Sequence, residues 1–193
     1  MNVPTDLPML LFPTQADWEA WLDAHHAEAA GVWLQIAKKG QGVTSVSYAE
    51  ALEVALCYGW IDGQKQRFDE RFYLQRFTPR RARSIWSKVN VAKATQLIEA
   101  ERMQPAGLAE VERAKADGRW QAAYAPQSSA AVPEELQTLL DAHPRAKAFF
   151  EQLNSTNRYA FCFRVQTAKK PETRRARAEK FVAMMEAGEV FYP

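Results

Sequence analysis

"GWIDGQKQRFDERFYLQRFTPRRARSIWSKVN", residues 59–90, decides how the rest of the chain is read. "WIDGQKQRF" and "FYLQRFTP" read as two strands, with "DER" at residues 69–71 as the turn between them. Asp62-Gly63 is a second turn signal inside the same stretch, so the strand boundaries stay open. On a strand, Trp60 and Asp62 share one face and Ile61 points to the other. From Ser84 the pattern turns helical. Ser84 is the expected N-cap of a helix over 84–103, whose apolar stripe is Val91, Ala94, Leu97 and Ile98.

Upstream of this hairpin, Thr14 and Asp17 have capping-box spacing, and Trp18, Trp21, Leu22 and His25 follow at helical intervals. They predict an amphipathic helix over 14–26. Val32, Leu34 and Ile36 alternate with Trp33 and Gln35, which predicts a strand over 32–38. Ser47 and Glu50 open a helix over 47–58 that Gly59 stops.

Downstream, Pro105 and Gly118 bracket a helix over 105–117. "GRWQAAYAPQSSAAVPEE", residues 118–135, is small, polar and proline-bearing, and reads as a linker. Pro144 is expected to divide the following apolar segment into two helices, and two more are expected to meet near Pro171. The order α-β-α-β-β and then helices indicates an α+β fold. It predicts a small, mainly antiparallel sheet with packed helices over 1–121, and a helical C-terminal extension packing on it over 122–193.

With 47% hydrophobic and 25% charged residues in a 193-residue chain, one sizeable core is affordable. A net charge of +2 excludes a generally DNA-coating protein, so any nucleic-acid role would rest on local basic runs. Cys57 and Cys162 lie in apolar surroundings without C-x-x-C spacing, and His25, His26 and His143 lack ligand spacing. Reduced, buried thiols are therefore expected, with no metal and no cofactor. The N-terminus has no signal-peptide pattern, and no apolar run is long enough to span a membrane. The cytoplasm is the expected location.

The candidate chemistry sits mostly in the opening stretch. Asp62 beside Trp60, flanked by glycines, is either a carboxylate held against an aromatic wall or simply the residue that fixes its own turn. Arg76, Arg80 and Arg81 precede Ser84, Trp86 and Ser87, so fixed charge and the free N–H groups of a helix N-terminus would coincide there. The competing reading is a solvated basic loop with Trp86 in the core. Asn90, one turn after Ser87, could orient a ligand, and Lys39 at the end of the first predicted strand is a further contact candidate. A late basic run, Lys169, Lys170, Arg174, Arg175, Arg177 and Lys180, is either a solvated face or the second wall of a cationic cleft. The glycine and serine patterns of nucleotide-binding or hydrolytic folds are missing.

"ALCYGWIDG" (55–63), "RFTPRRARSIWSKVN" (76–90), "RMQPAGL" (102–108) and "AKKPETRRAR" (168–177) together resemble the YdeI/OmpD-associated proteins, described as bacteriocin-protection proteins. The resemblance runs from about Phe12 to Gly188, with departures at Cys57, Tyr58 and Pro171. It implies a bacterial α+β protein of undefined biochemical activity, linked to the cell envelope and to protection against antimicrobial peptides. The expected function is then a binding protein for an anionic ligand or a protein partner, using Trp60, Asp62, Arg80, Arg81 and the 84–87 helix start. An enzyme acting on a small phosphorylated or carboxylated substrate, with Asp62 as its base, is the alternative. A nucleic-acid-associated protein is the weaker one, because the basic runs lack interleaved aromatic residues.

Overall fold

The computed structural model describes Pro4 and residues 6–193. The chain forms two compact units, one running up to Trp86 and including Asn90–Ala122, the other made of Ser87–Val89 and Ala123–Pro193.

The first unit is built on a four-stranded sheet. Its strands are β1 (Met9–Leu10), β2 (Val32–Ala37), β3 (Trp60–Arg67) and β4 (Phe72–Pro79), in the spatial order β1-β2-β4-β3. The β2/β4 and β3/β4 pairs are antiparallel, and the two-residue β1, too short to give a periodic signal, lies parallel to β2. The sheet is therefore mixed, within the α+β class.

Helices α1 (Gln15–His25) and α2 (Tyr48–Cys57) both start with the expected reciprocal caps, Thr14 with Asp17 and Ser47 with Glu50. Each cap satisfies orphan N–H groups of the first turn, so the sequence sets where the helix begins. Trp18 and Trp60 are fully buried between these helices and the sheet. Their indole N–H groups donate to Ala51 O and His26 O, both at 3.1 Å, so neither ring carries an unmet donor into the core. The two rings meet edge to face at 6.3 Å, and Phe77 of β4 lies 5.9 Å from Trp18.

Gly59, at φ 75°, ends α2 in the left-handed conformation and turns the chain directly into β3. Helix α4 (Pro105–Ala116) crosses α2 so closely that a Cβ on Gly107 would sit 2.2 Å from Cys57 O and 2.7 Å from Leu56 O.

One helix starts later than the sequence suggests. Helix α3 spans Lys88–Glu99, not 84–103. Ser84 closes a turn instead: its Oγ accepts from Arg81 N at 3.0 Å and its own N–H donates to Arg81 O at 2.9 Å. A serine that can cap a helix can equally serve a tight turn, and here the turn wins.

In the second unit, α5 (Glu134–Ala142), α6 (Pro144–Gln152), α7 (Ser155–Gln166) and α8 (Pro171–Glu186) enclose a core. Leu136, Leu140, Phe150, Phe161, Phe181 and Met185 form its centre. Pro144 and Pro171 each stand at the start of a helix, where a missing N–H costs nothing. In the late basic run, Lys169, Lys170, Arg175 and Lys180 are exposed, and two arginines are structural. Arg174 donates to Ala168 O at 2.9 Å and Arg177 to Arg164 O at 2.6 Å, so both guanidinium groups satisfy carbonyls at the end of α7.

Two outcomes follow from this packing. Gly107→Ala should lower stability by about 2 kcal/mol or more, because backbone rather than a movable side chain fills the space its methyl needs; the denaturant midpoint measures it. Burial pushes the free thiols of Cys57 and Cys162 up to about 11. Near pH 8 both states hold neutral thiols, and labelling by a thiol reagent should be slow until the protein is unfolded. Above about pH 9, thiols of the unfolded chain ionise first, so stability should fall as pH rises toward 11.

Candidate functional site

The candidate site residues singled out from the sequence do not gather in one place in the first unit, and Ser87 belongs to the second. Trp60, expected to line a ligand pocket, is 1% exposed and belongs to the aromatic core. Asp62 is half-buried, and its Oδ2 accepts a 2.8 Å hydrogen bond from the Tyr48 hydroxyl at the start of α2. That phenol holds the carboxylate in place. None of the concavities described below includes Asp62.

Arg76 pairs with Asp6 at 3.1 Å and lies 5.7 Å from the Trp33 ring. The Trp33 indole N–H, and then the Arg76 guanidinium, hold the Asp6 carboxyl below its usual range.

Arg80 and Arg81 differ in burial. Arg81 is exposed, whereas Arg80 is only 6% exposed. The Arg80 guanidinium lies 3.5 Å from the Trp86 ring centroid and donates to Ile85 O at 3.5 Å. Trp86 is buried and meets Trp120 edge to face at 4.8 Å. Arg119 completes this cluster, binding Asp117 through Nε at 2.6 Å and Ser84 O through Nη1 at 2.7 Å. Arg80 and Arg81 therefore do not converge on one anion. The helix N-terminus expected over Ser84–Ser87 comes later, with α3 starting at Lys88. Ser87 forms a β-bridge with Tyr124, and the first N–H of α3, on Lys88, donates to Tyr124 O at 2.8 Å. Asn90 is buried in the first turn of α3.

Lys39 has a different neighbourhood. Together with Lys38, Lys65, Arg67, Ala37, Gln66 and Tyr73 it lines a concavity of about 490 Å³ at the end of β2 and β3. Among the described residues none of the four cations forms an ion pair. Lys38 Nζ donates to Asp69 O at 2.5 Å and so anchors the loop between β3 and β4. Lys65 Nζ stands 4.0 Å above the Tyr73 ring. A second concavity of about 370 Å³ adjoins it, sharing Lys38 and Arg67 and adding Phe68, Asp69 and Glu70.

Lys65 and Arg67 face this recess because β3 carries a β-bulge. Asp62 pairs with Phe77, but Lys65, not Gln64, pairs with Gln75 and Arg67 pairs with Tyr73. The extra residue moves both cations onto the face that carries Tyr73. Sequence reasoning named Lys39 and missed Lys65 and Arg67. The available signal was Gly63 inside a strand pattern, which often marks a bulge.

Residues 10–110, just over half of the 193-residue chain, match the family described as Domain of unknown function (DUF8412). Residues 129–188 match a second family, described as Bacteriocin-protection, YdeI or OmpD-Associated. The chain belongs to the DUF8412 family and carries a YdeI/OmpD-associated domain. The recess lies in the first of these matched segments. So do the three earlier motifs, while "AKKPETRRAR" lies in the second. No curated protein and no solved structure matches the chain. Among the described residues no group of side chains could hold a metal ion, and no helix is long and apolar enough to cross a membrane.

The two neighbouring arginines give a sharp contrast. Arg80→Ala should cost about 2 kcal/mol through loss of its stacking on Trp86 and of its buried stem. Arg81→Ala should stay within about 0.5 kcal/mol of the parent, as surface changes do. Urea midpoints of the two variants check this; equal costs would mean that Arg80 is not part of the scaffold.

Proposed function

We propose that the chain is a binding protein that recognises an anionic ligand in the recess formed by Lys38, Lys39, Lys65 and Arg67. The observation that carries this reading is the four cations around one concavity, without carboxylate partners among the described residues. Like charges gathered without counter-charge repel one another, and an anion placed between them relieves that repulsion. A volume of about 490 Å³ suits a small molecule. Bacteriocin protection, the role named in the description of the second family, is the setting we propose for this binding, in the cytoplasm.

The enzymatic alternative has one observation in its favour, the Tyr48 hydroxyl that orients Asp62. Asp62 stands outside the cationic recess, so a base there would act on a substrate held elsewhere. Asp62→Asn distinguishes the two readings. It should leave anion binding unchanged if the recess is the site, and abolish turnover if Asp62 is a base.

Phosphate and citrate should raise the melting temperature of the full chain by mass action, and added sodium chloride should weaken the effect. The combined change Lys39→Glu, Lys65→Glu, Arg67→Glu should remove the increment, while Arg81→Ala should keep it. A parent protein whose melting temperature does not respond to anions, or a triple variant that responds as the parent does, overturns the proposal.

A further inference from the structure

Resting on the anion-binding reading, we propose that the ligand is a soluble amphipathic anion, with one phosphate or carboxylate head and one apolar chain. Two adjoining concavities share Lys38 and Arg67 as a common wall. The first gathers cations: Lys39 and Lys65 join that shared pair there. The second adds the half-buried ring of Phe68. The long stems of Lys38 and Arg67 offer methylene surface between their charged ends, so the shared wall is cationic at its tips and apolar along its length. A hydrophilic anion fills the first concavity only. A molecule with its head at Lys39, Lys65 and Arg67 and its chain running past Phe68 fills both.

Charge excludes the other anions. The second concavity is also lined by Asp69 and Glu70. The Asp69 carboxylate is committed to the backbone N–H groups of Arg71 and Phe72 at 2.8 and 2.7 Å, and Glu70 is exposed. A second negative group placed there meets carboxylates, so a polyanion such as a nucleic acid is repelled where an alkyl chain is not. A flat base stacked on Tyr73 would have to displace the Lys65 ammonium from 4.0 Å above the ring. One charged end and one apolar end is the pattern that both concavities accept.

The test is isothermal titration of the full chain with methyl, butyl, hexyl and octyl phosphate at one salt concentration, below micelle formation. Affinity should rise about two- to fourfold per added methylene until the chain passes Phe68, and then level off. Phe68→Ser should flatten this rise and leave methyl phosphate affinity unchanged, and Phe68→Leu should restore most of it. Lys39→Glu with Lys65→Glu should weaken the whole series. If all four phosphates bind equally, the amphipathic ligand is wrong and the anion-binding reading stands. If none binds, both fall. Tighter binding to a single-stranded oligonucleotide, or to vesicles of anionic phospholipid, than to octyl phosphate also overturns the proposal.

Discussion

The first unit depends on how Gln75 deals with an irregular strand. A bulge frees backbone carbonyls from the ladder, and beside a buried face an unpaired carbonyl costs as much as a lost hydrogen bond. The buried Gln75 amide donates to Gly63 O at 2.9 Å and to Gln64 O at 3.3 Å. One buried polar side chain thus makes the extra residue tolerable. The consequence reaches the far end of the strand. Without the bulge, Lys65 and Arg67 would pair with Leu74 and Phe72 and face the opposite side of the sheet. The recess exists because β3 slips by one residue, and it can slip because Gln75 is there.

Tryptophan and arginine in this chain serve chiefly to hold elements together, which explains why its motifs are so rich in both. Trp18 and Trp60 spend their indole N–H groups on carbonyls at Ala51 and His26, fastening α2 to α1 and the end of α1 to β3. Arg80 and Arg119 act similarly after β4: one stacks on Trp86 and the other binds Ser84 O and Asp117. A segment with little regular structure between β4 and α3 therefore has a fixed course. These residues look like ligand-binding chemistry because the groups that bind ligands, aromatic faces and forked donors, are also those that pin irregular backbone.

The elements were legible from sequence where their signals are local. Thr14 with Asp17 and Ser47 with Glu50 mark helix starts that the structure reproduces as reciprocal caps, and Gly59 marks the stop between α2 and β3. The Ser84 signal failed because a side-chain oxygen followed by free N–H groups describes a turn as well as a cap, and only the later backbone decides between them. The candidate site was legible only at Lys39. Lys65 and Arg67 acquire their neighbours through strand register, a non-local property set by a glycine and by a glutamine on another strand. Arg80 and Arg81 are adjacent in sequence, yet one is buried against Trp86 and the other is exposed.

The cations of this chain differ in the carbonyls and carboxylates within their reach. Arg174 and Arg177 lie over the end of α7, where the last turn leaves acceptors unsatisfied, and both are drawn into hydrogen bonds with them. Arg76 has Asp6, and Arg119 has Asp117. Lys39 lies in the turn after β2, Lys65 and Arg67 project from the edge strand β3, and the nearby Asp69 carboxylate is held by its own turn. None of the three forms an ion pair among the described residues. A net charge of +2 therefore says little about where positive potential is available. Lys38, Lys39, Lys65 and Arg67, which form no ion pair among the described residues, gather it at the ends of β2 and β3.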